Sequence, residues 1–72
     1  MKIKWTDSLD IAERLFALYP DQDPLSVRFT DLHDMVCGLT EFEDDPKLSN
    51  EAKLEAIQMA WLEEFQGDDV RE

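Results

Sequence analysis

Hydrophobic and polar positions alternate at the start of the chain: Ile3 and Trp5 fall on one side of an extended segment and Lys2, Lys4 and Thr6 on the other, which predicts a short edge strand. The period then lengthens. Leu9, Ala12, Leu15, Phe16 and Tyr19 recur at helical spacing behind the capping oxygens of Thr6, Asp7 and Ser8, so a first helix is expected over 8–19. Pro20 ends it, because a proline drives the preceding residue out of helical geometry, and Asp21-Gln22-Asp23-Pro24 continues as an acidic turn. Val27-Arg28-Phe29 alternates again and is expected to pair with Ile3-Lys4-Trp5, a two-stranded ribbon that persists in water only with helices packed on it.

A second helix is expected over 31–39 behind a Thr30 cap, with Leu32, Met35, Val36 and Leu39 on one narrow face and Gly38 near its end. Glu41-Phe42-Glu43-Asp44-Asp45-Pro46 sets four carboxylates around one aromatic and reads as a surface loop that Phe42 pins to the core. Ser49 or Asn50 caps a third helix, Glu51 suits the positive end of its dipole, and Leu54, Ile57, Trp61 and Phe65 form its buried stripe up to Gly67. Trp61 is expected in the core and Trp5, on an edge, half exposed. The fold class that follows is mainly α: a three-helix, winged-helix-like domain with a short two-stranded ribbon over 1–66, then a polar tail over 67–72.

Seventy-two residues make one domain, with no room for a separate catalytic lobe or a deep cleft. Eighteen Asp and Glu against 7 Lys and Arg give a net charge of -11, which opposes nucleic acid and anionic membranes and favours basic proteins and metal cations. The second helix carries Asp31 and Asp34 and no Lys or Arg, so it lacks the donors a DNA-reading helix needs. A hydrophobic content of 43% is too high for a disordered acidic tail. The single Cys37 forms no internal disulfide, the opening Met1-Lys2-Ile3-Lys4-Trp5 lacks the apolar run of a signal peptide, and no segment approaches the roughly 20 apolar residues of a membrane span; a cytoplasmic monomer is expected.

Candidate chemistry lies in the acids. Asp21 and Asp23 mimic the first ligands of a calcium loop, but Leu25 stands at the fifth position, Ser26 replaces the turn glycine and Leu32 the closing glutamate, so the EF-hand reading fails. What remains is a set of oxygen donors, Asp21, Asp23, Asp31, Asp34, Glu41, Glu43, Asp44 and Asp45, suited to weak binding of ferric or ferrous iron or, more plainly, to a solvated face. His33 and Cys37, four apart, share one helix side, and two ligands are a weak metal signal. Asp34 beside Cys37 raises the thiol pKa, and no third catalytic group is evident; no catalysis is expected.

Lys4-Trp5-Thr6-Asp7-Ser8, Tyr19-Pro20-Asp21-Gln22-Asp23-Pro24, Val27-Arg28-Phe29-Thr30-Asp31-Leu32-His33, Val36-Cys37, Phe42-Glu43-Asp44-Asp45-Pro46, Ser49-Asn50-Glu51, Leu54-Glu55-Ala56-Ile57 and Trp61-Leu62 together resemble the small acidic IscX proteins, also called YfhJ, of bacterial iron-sulfur cluster assembly. The resemblance is collinear over residues 4 to 64. It implies a winged-helix-like fold that does not bind DNA, weak iron binding through surface carboxylates, and docking on the cysteine desulfurase IscS at a region shared with the bacterial frataxin. A non-catalytic adaptor or regulator is expected, an iron-delivery protein or an acidic inhibitor of a basic partner being the alternatives. Asp21, Asp23, Asp31 and Asp34, on or beside matched segments, are the first choice for the desulfurase-facing surface; Glu41, Glu43, Asp44 and Asp45 are the second, for that surface or for iron.

Overall fold

A computed structural model describes residues 2–67, with three helices in the order α1 (Ser8–Leu18), α2 (Phe29–Cys37) and α3 (Glu51–Gln66) and two one-turn 3-10 segments, Pro24–Ser26 and Pro46–Leu48. Helix α1 starts after a tight turn in which the Asp7 N–H donates to the Lys4 carbonyl (2.9 Å) and the Lys4 N–H donates to Asp7 Oδ2 (3.0 Å). It offers two overlapping apolar rows, Leu9-Ala12-Phe16 and Ile11-Leu15, and a helix packed mainly on one neighbour, α3, buries one of them fully. Ile11, Ala12 and Leu15 are buried, whereas Leu9 is 67% exposed and Tyr19, which lies beyond the helix end, 40%. The buried row is thus rotated from the expected one, and Ile11 is its new member. Tyr19 still closes the helix, donating to the Leu15 carbonyl at 2.8 Å, and Pro20 keeps it out of helical geometry (φ -129, ψ 64).

The expected ribbon does not form. The Ile3 N–H donates to the Glu41 carbonyl and the Glu43 N–H donates to the Ile3 carbonyl, both at 2.9 Å, so the ladder groups of Ile3 are used by the loop after α2. Among the described residues the result is an isolated parallel bridge, Ile3 with Phe42, and no strand. Without paired strands there is no wing, and the winged-helix-like part of the expectation falls with the ribbon. Val27 and Arg28 do stay extended, but they lead into α2 and Phe29 is its first residue. Helix α2 therefore begins two residues early and ends at Cys37, with Arg28 rather than Thr30 at its cap and Leu32 and Val36 buried.

Helix α3 follows the sequence closely. Asn50 Oδ1 accepts from the Lys53 N–H at 2.8 Å, and Gly67 ends the helix at φ 76, a conformation that favours glycine. Leu54, Ile57, Ala60 and Trp61 face the core, whereas Phe65, expected in the same stripe, is only partly buried near the helix end and lies outside the core cluster. The Trp61 indole N–H has no acceptor among the described residues, yet the ring is fully buried. Burying the ring contributes about 4–6 kcal/mol, which outweighs about 1–3 kcal/mol for the unpaired donor. Trp5, expected to be half exposed, is 1% exposed and part of the same core. Residues 68–72 of the expected polar tail lie outside the described residues.

Candidate functional site

The bridge between Ile3 and Phe42 brings Trp5 down onto the acidic loop. The Trp5 backbone N–H donates to Asp44 Oδ2 (3.1 Å) and its indole N–H to the Asp45 carbonyl (2.8 Å). Its ring meets Phe42 edge-on at 4.8 Å and stacks on His33 at 5.3 Å. His33 Nε2 lies 2.9 Å from the Pro46 carbonyl, and since a carbonyl oxygen only accepts, Nε2 carries the proton. Trp5 and His33 thereby clasp the loop to α2 from two sides.

Within this clasp the four acids are engaged by the protein itself. Asp44 Oδ1 accepts from the Asp45 N–H at 2.7 Å, so both oxygens of Asp44 receive amide hydrogens. These bonds, that of Trp5 first, hold the Asp44 carboxyl below the usual aspartate range, helped by Lys4 and Lys53 and opposed by desolvation. Asp45 Oδ1 accepts from the Lys47 N–H (2.9 Å) and caps the 3-10 turn Pro46–Leu48. Glu43 lies 3.5 Å from Lys2 and Glu41 3.6 Å from Arg14.

The stretch from Asp21 to Asp34 differs. Asp23 Oδ1 accepts from the Leu25 N–H (3.0 Å) and caps the 3-10 turn Pro24–Ser26, the same use of an Asp-Pro pair as at Asp45. Asp21 is exposed, and among the described residues it has no ion pair. Asp31 reaches Arg28 only at 4.0 Å with both side chains largely in solvent, and Asp34 lies 3.7 Å from His33 Nδ1, a pair that is ionic only when the imidazole is protonated. Asp21 and Asp23 thus lie in the turn between α1 and α2, Asp31 and Asp34 on α2 itself, and Arg28 falls between the two pairs along the chain.

His33 and Cys37 do meet as their spacing predicts, with Cys37 Sγ 3.9 Å from His33 Nδ1. Burial first, and then the charge of Asp34, push the Cys37 thiol up, which is the reverse of nucleophile activation. Among the described residues no three His, Cys, Asp or Glu side chains converge as a metal-ligand set. The pair therefore remains two ligands, and the eight sequence-selected carboxylates do not gather into one cage.

A family model described as iron-sulphur cluster assembly matches residues 3–66. The chain belongs to this family, IscX/YfhJ. It is also 53% identical over 64 residues to the uncharacterized protein PA3808 of Pseudomonas aeruginosa, a match covering 89% of this chain and 97% of the relative. Family membership places the chain in iron-sulfur cluster assembly. No helix among the described residues is long and apolar enough to cross a membrane. Within this IscX/YfhJ chain the residues that sequence reasoning missed are the Trp5–His33–Pro46 clasp and the cap formed by each Asp-Pro aspartate. A signal for the caps was present, since both acidic stretches contain Asp followed by Pro. The clasp had none, because its partners are distant in the chain.

Proposed function

We propose that this IscX/YfhJ chain is a non-catalytic adaptor or regulator of iron-sulfur cluster assembly that docks on the cysteine desulfurase IscS through an acidic surface and binds iron weakly. The observation that carries the proposal is the state of Asp21, Asp23, Asp31 and Asp34: all four are exposed, and among the described residues the Lys and Arg side chains contribute one approach, Arg28 at 4.0 Å from Asp31, with His33 beside Asp34, so their field extends into solvent. An uncompensated field of this sign steers the chain onto a basic patch of a partner and raises the association rate at low salt. Glu41, Glu43, Asp44 and Asp45 supply the oxygen ligands for iron in this reading, and bind it weakly. Iron at Asp44 competes with two amide hydrogen bonds, and iron at Glu41 or Glu43 with an existing cation. The family resemblance adds to this reading competition with the bacterial frataxin for one region of the desulfurase, and action as a cytoplasmic monomer.

The test is calorimetric titration of the desulfurase with the full chain at low and moderate ionic strength. Micromolar or tighter binding that weakens with salt is the expected result; no binding at low ionic strength, where the attraction peaks, removes the proposal. Iron binding by the chain alone at physiological iron levels favours the delivery reading over the adaptor.

A further inference from the structure

The turn between α1 and α2 carries more than charge. Leu18 and Leu25 are each 61% exposed and Tyr19 is 40% exposed, although the fold has a core in which to bury large apolar groups. Leu18 and Tyr19 line one shallow depression with Pro20, Asp21 and Gln22. The turn that presents them is held from within. The Gln22 N–H donates to the Tyr19 carbonyl (3.1 Å), Gln22 Nε2 donates to Ser26 Oγ (2.9 Å), and Gln58 Nε2 on α3 donates to the carbonyl of buried Pro24 (3.0 Å). A fixed turn loses little conformational freedom when a partner covers it, and apolar anchors ringed by charge are where binding energy concentrates.

We infer that Leu18, Tyr19 and Leu25 are the apolar anchors of the docking surface, with Asp21 and Asp23 as its charged rim, and that they seat in an apolar recess within a basic protein surface. The inference rests on the adaptor reading and specifies its contact. Charge selects the occupant: a second copy of this chain brings another -11 and no cation in this turn, whereas a basic partner complements the rim. Electrostatic attraction fades with salt while apolar burial does not, so the two contributions separate experimentally.

The experiment titrates the desulfurase with the full chain and its Leu18→Ser, Leu25→Ser and Asp21→Lys variants at about 50 mM and about 500 mM salt, with circular dichroism to verify each fold. Each leucine variant is expected to lose about tenfold or more in affinity at both salts, and Asp21→Lys to lose affinity chiefly at the lower one. Tight binding by the unaltered chain that both leucine variants retain overturns this inference and leaves the adaptor reading standing. Absence of binding by the unaltered chain overturns both. Self-association of the chain that Leu25→Ser abolishes overturns the choice of partner.

Discussion

The two acidic stretches of this chain carry four carboxylates each, yet the structure uses most of them differently. Between residues 41 and 45 every carboxylate has a protein partner: Arg14 for Glu41, Lys2 for Glu43, two amide hydrogens for Asp44 and the turn amide of Lys47 for Asp45. Between residues 21 and 34 the acids look outward: among the described residues Asp23 caps a turn, Arg28 stands at the edge of ion-pair range from Asp31, and His33 lies beside Asp34. Acidic density in a sequence therefore does not distinguish a ligand from a structural acceptor. What decides is whether amides and cations meet the acid in the fold: at the loop the N-terminal segment brings Lys2 and Trp5, α1 brings Arg14, and the turn itself supplies the Asp45 and Lys47 amides.

Removing that segment's anchor is the most severe way to break the contrast. Trp5→Ala takes away the indole bond to Asp45, the stack on His33 and the edge contact with Phe42, and is expected to cost about 3–5 kcal/mol in urea unfolding, a large share of the stability of a domain this small. Near-unchanged stability would mean that the loop holds its acids without the clasp.

Asp44→Asn probes the same loop through pH. The Asp44 carboxyl is held below the usual aspartate range when folded, so its stabilisation is present above the unfolded pKa and is lost as the pH falls through the lower, folded one. Thermal melting should show the variant less stable at neutral pH and the gap closing in acid. An equal gap at every pH would show that shape rather than charge is what the loop needs.

On the outward-facing stretch the corresponding change concerns binding. Asp23 caps a turn, so its charge is best removed as Asp23→Asn, which keeps an acceptor, while Asp21 tolerates Lys. The double variant should bind the desulfurase about tenfold more weakly at low salt with little change in melting temperature. If affinity holds, docking passes to the loop, and the roles of the two stretches are reversed.

The smallest effect is expected at Glu43→Gln. Its partner Lys2 is mostly solvated, and such pairs contribute about 0.2–1 kcal/mol, so unfolding should barely change. A loss of iron affinity measured by titration, with stability intact, would identify Glu43 as a metal contact rather than a fold contact.

Much of the fold was legible from local pattern. The apolar rows of α2 and α3, the Asn50 cap, the Gly67 stop and the break at Pro20 all depend on residues within a turn or two of each other. The partner of Ile3-Lys4-Trp5 was not. Alternation at Val27-Arg28-Phe29 is as good a strand signal as any in the chain, but Phe29 packs against the core from the first turn of α2, and the bridge goes to Phe42. The burial of Trp5 and the choice of Ile11 over Leu9 were hidden for the same reason: each depends on which neighbour arrives, and periodicity ranks faces without naming neighbours.

The sequence by itself determined three helices, the Asn50 cap and Gly67 stop of the third, a large negative charge and membership of a family of iron-sulfur cluster assembly, because propensity, capping and net charge are short-range or summed properties of the chain. Only the tertiary structure decided which acids are occupied and which are free. The long-range contacts that bear on this, the Trp5 amide to the Asp44 carboxylate across 39 residues and Arg14 to Glu41, come from other elements of the fold, and a donor that distant along the chain leaves no periodic trace.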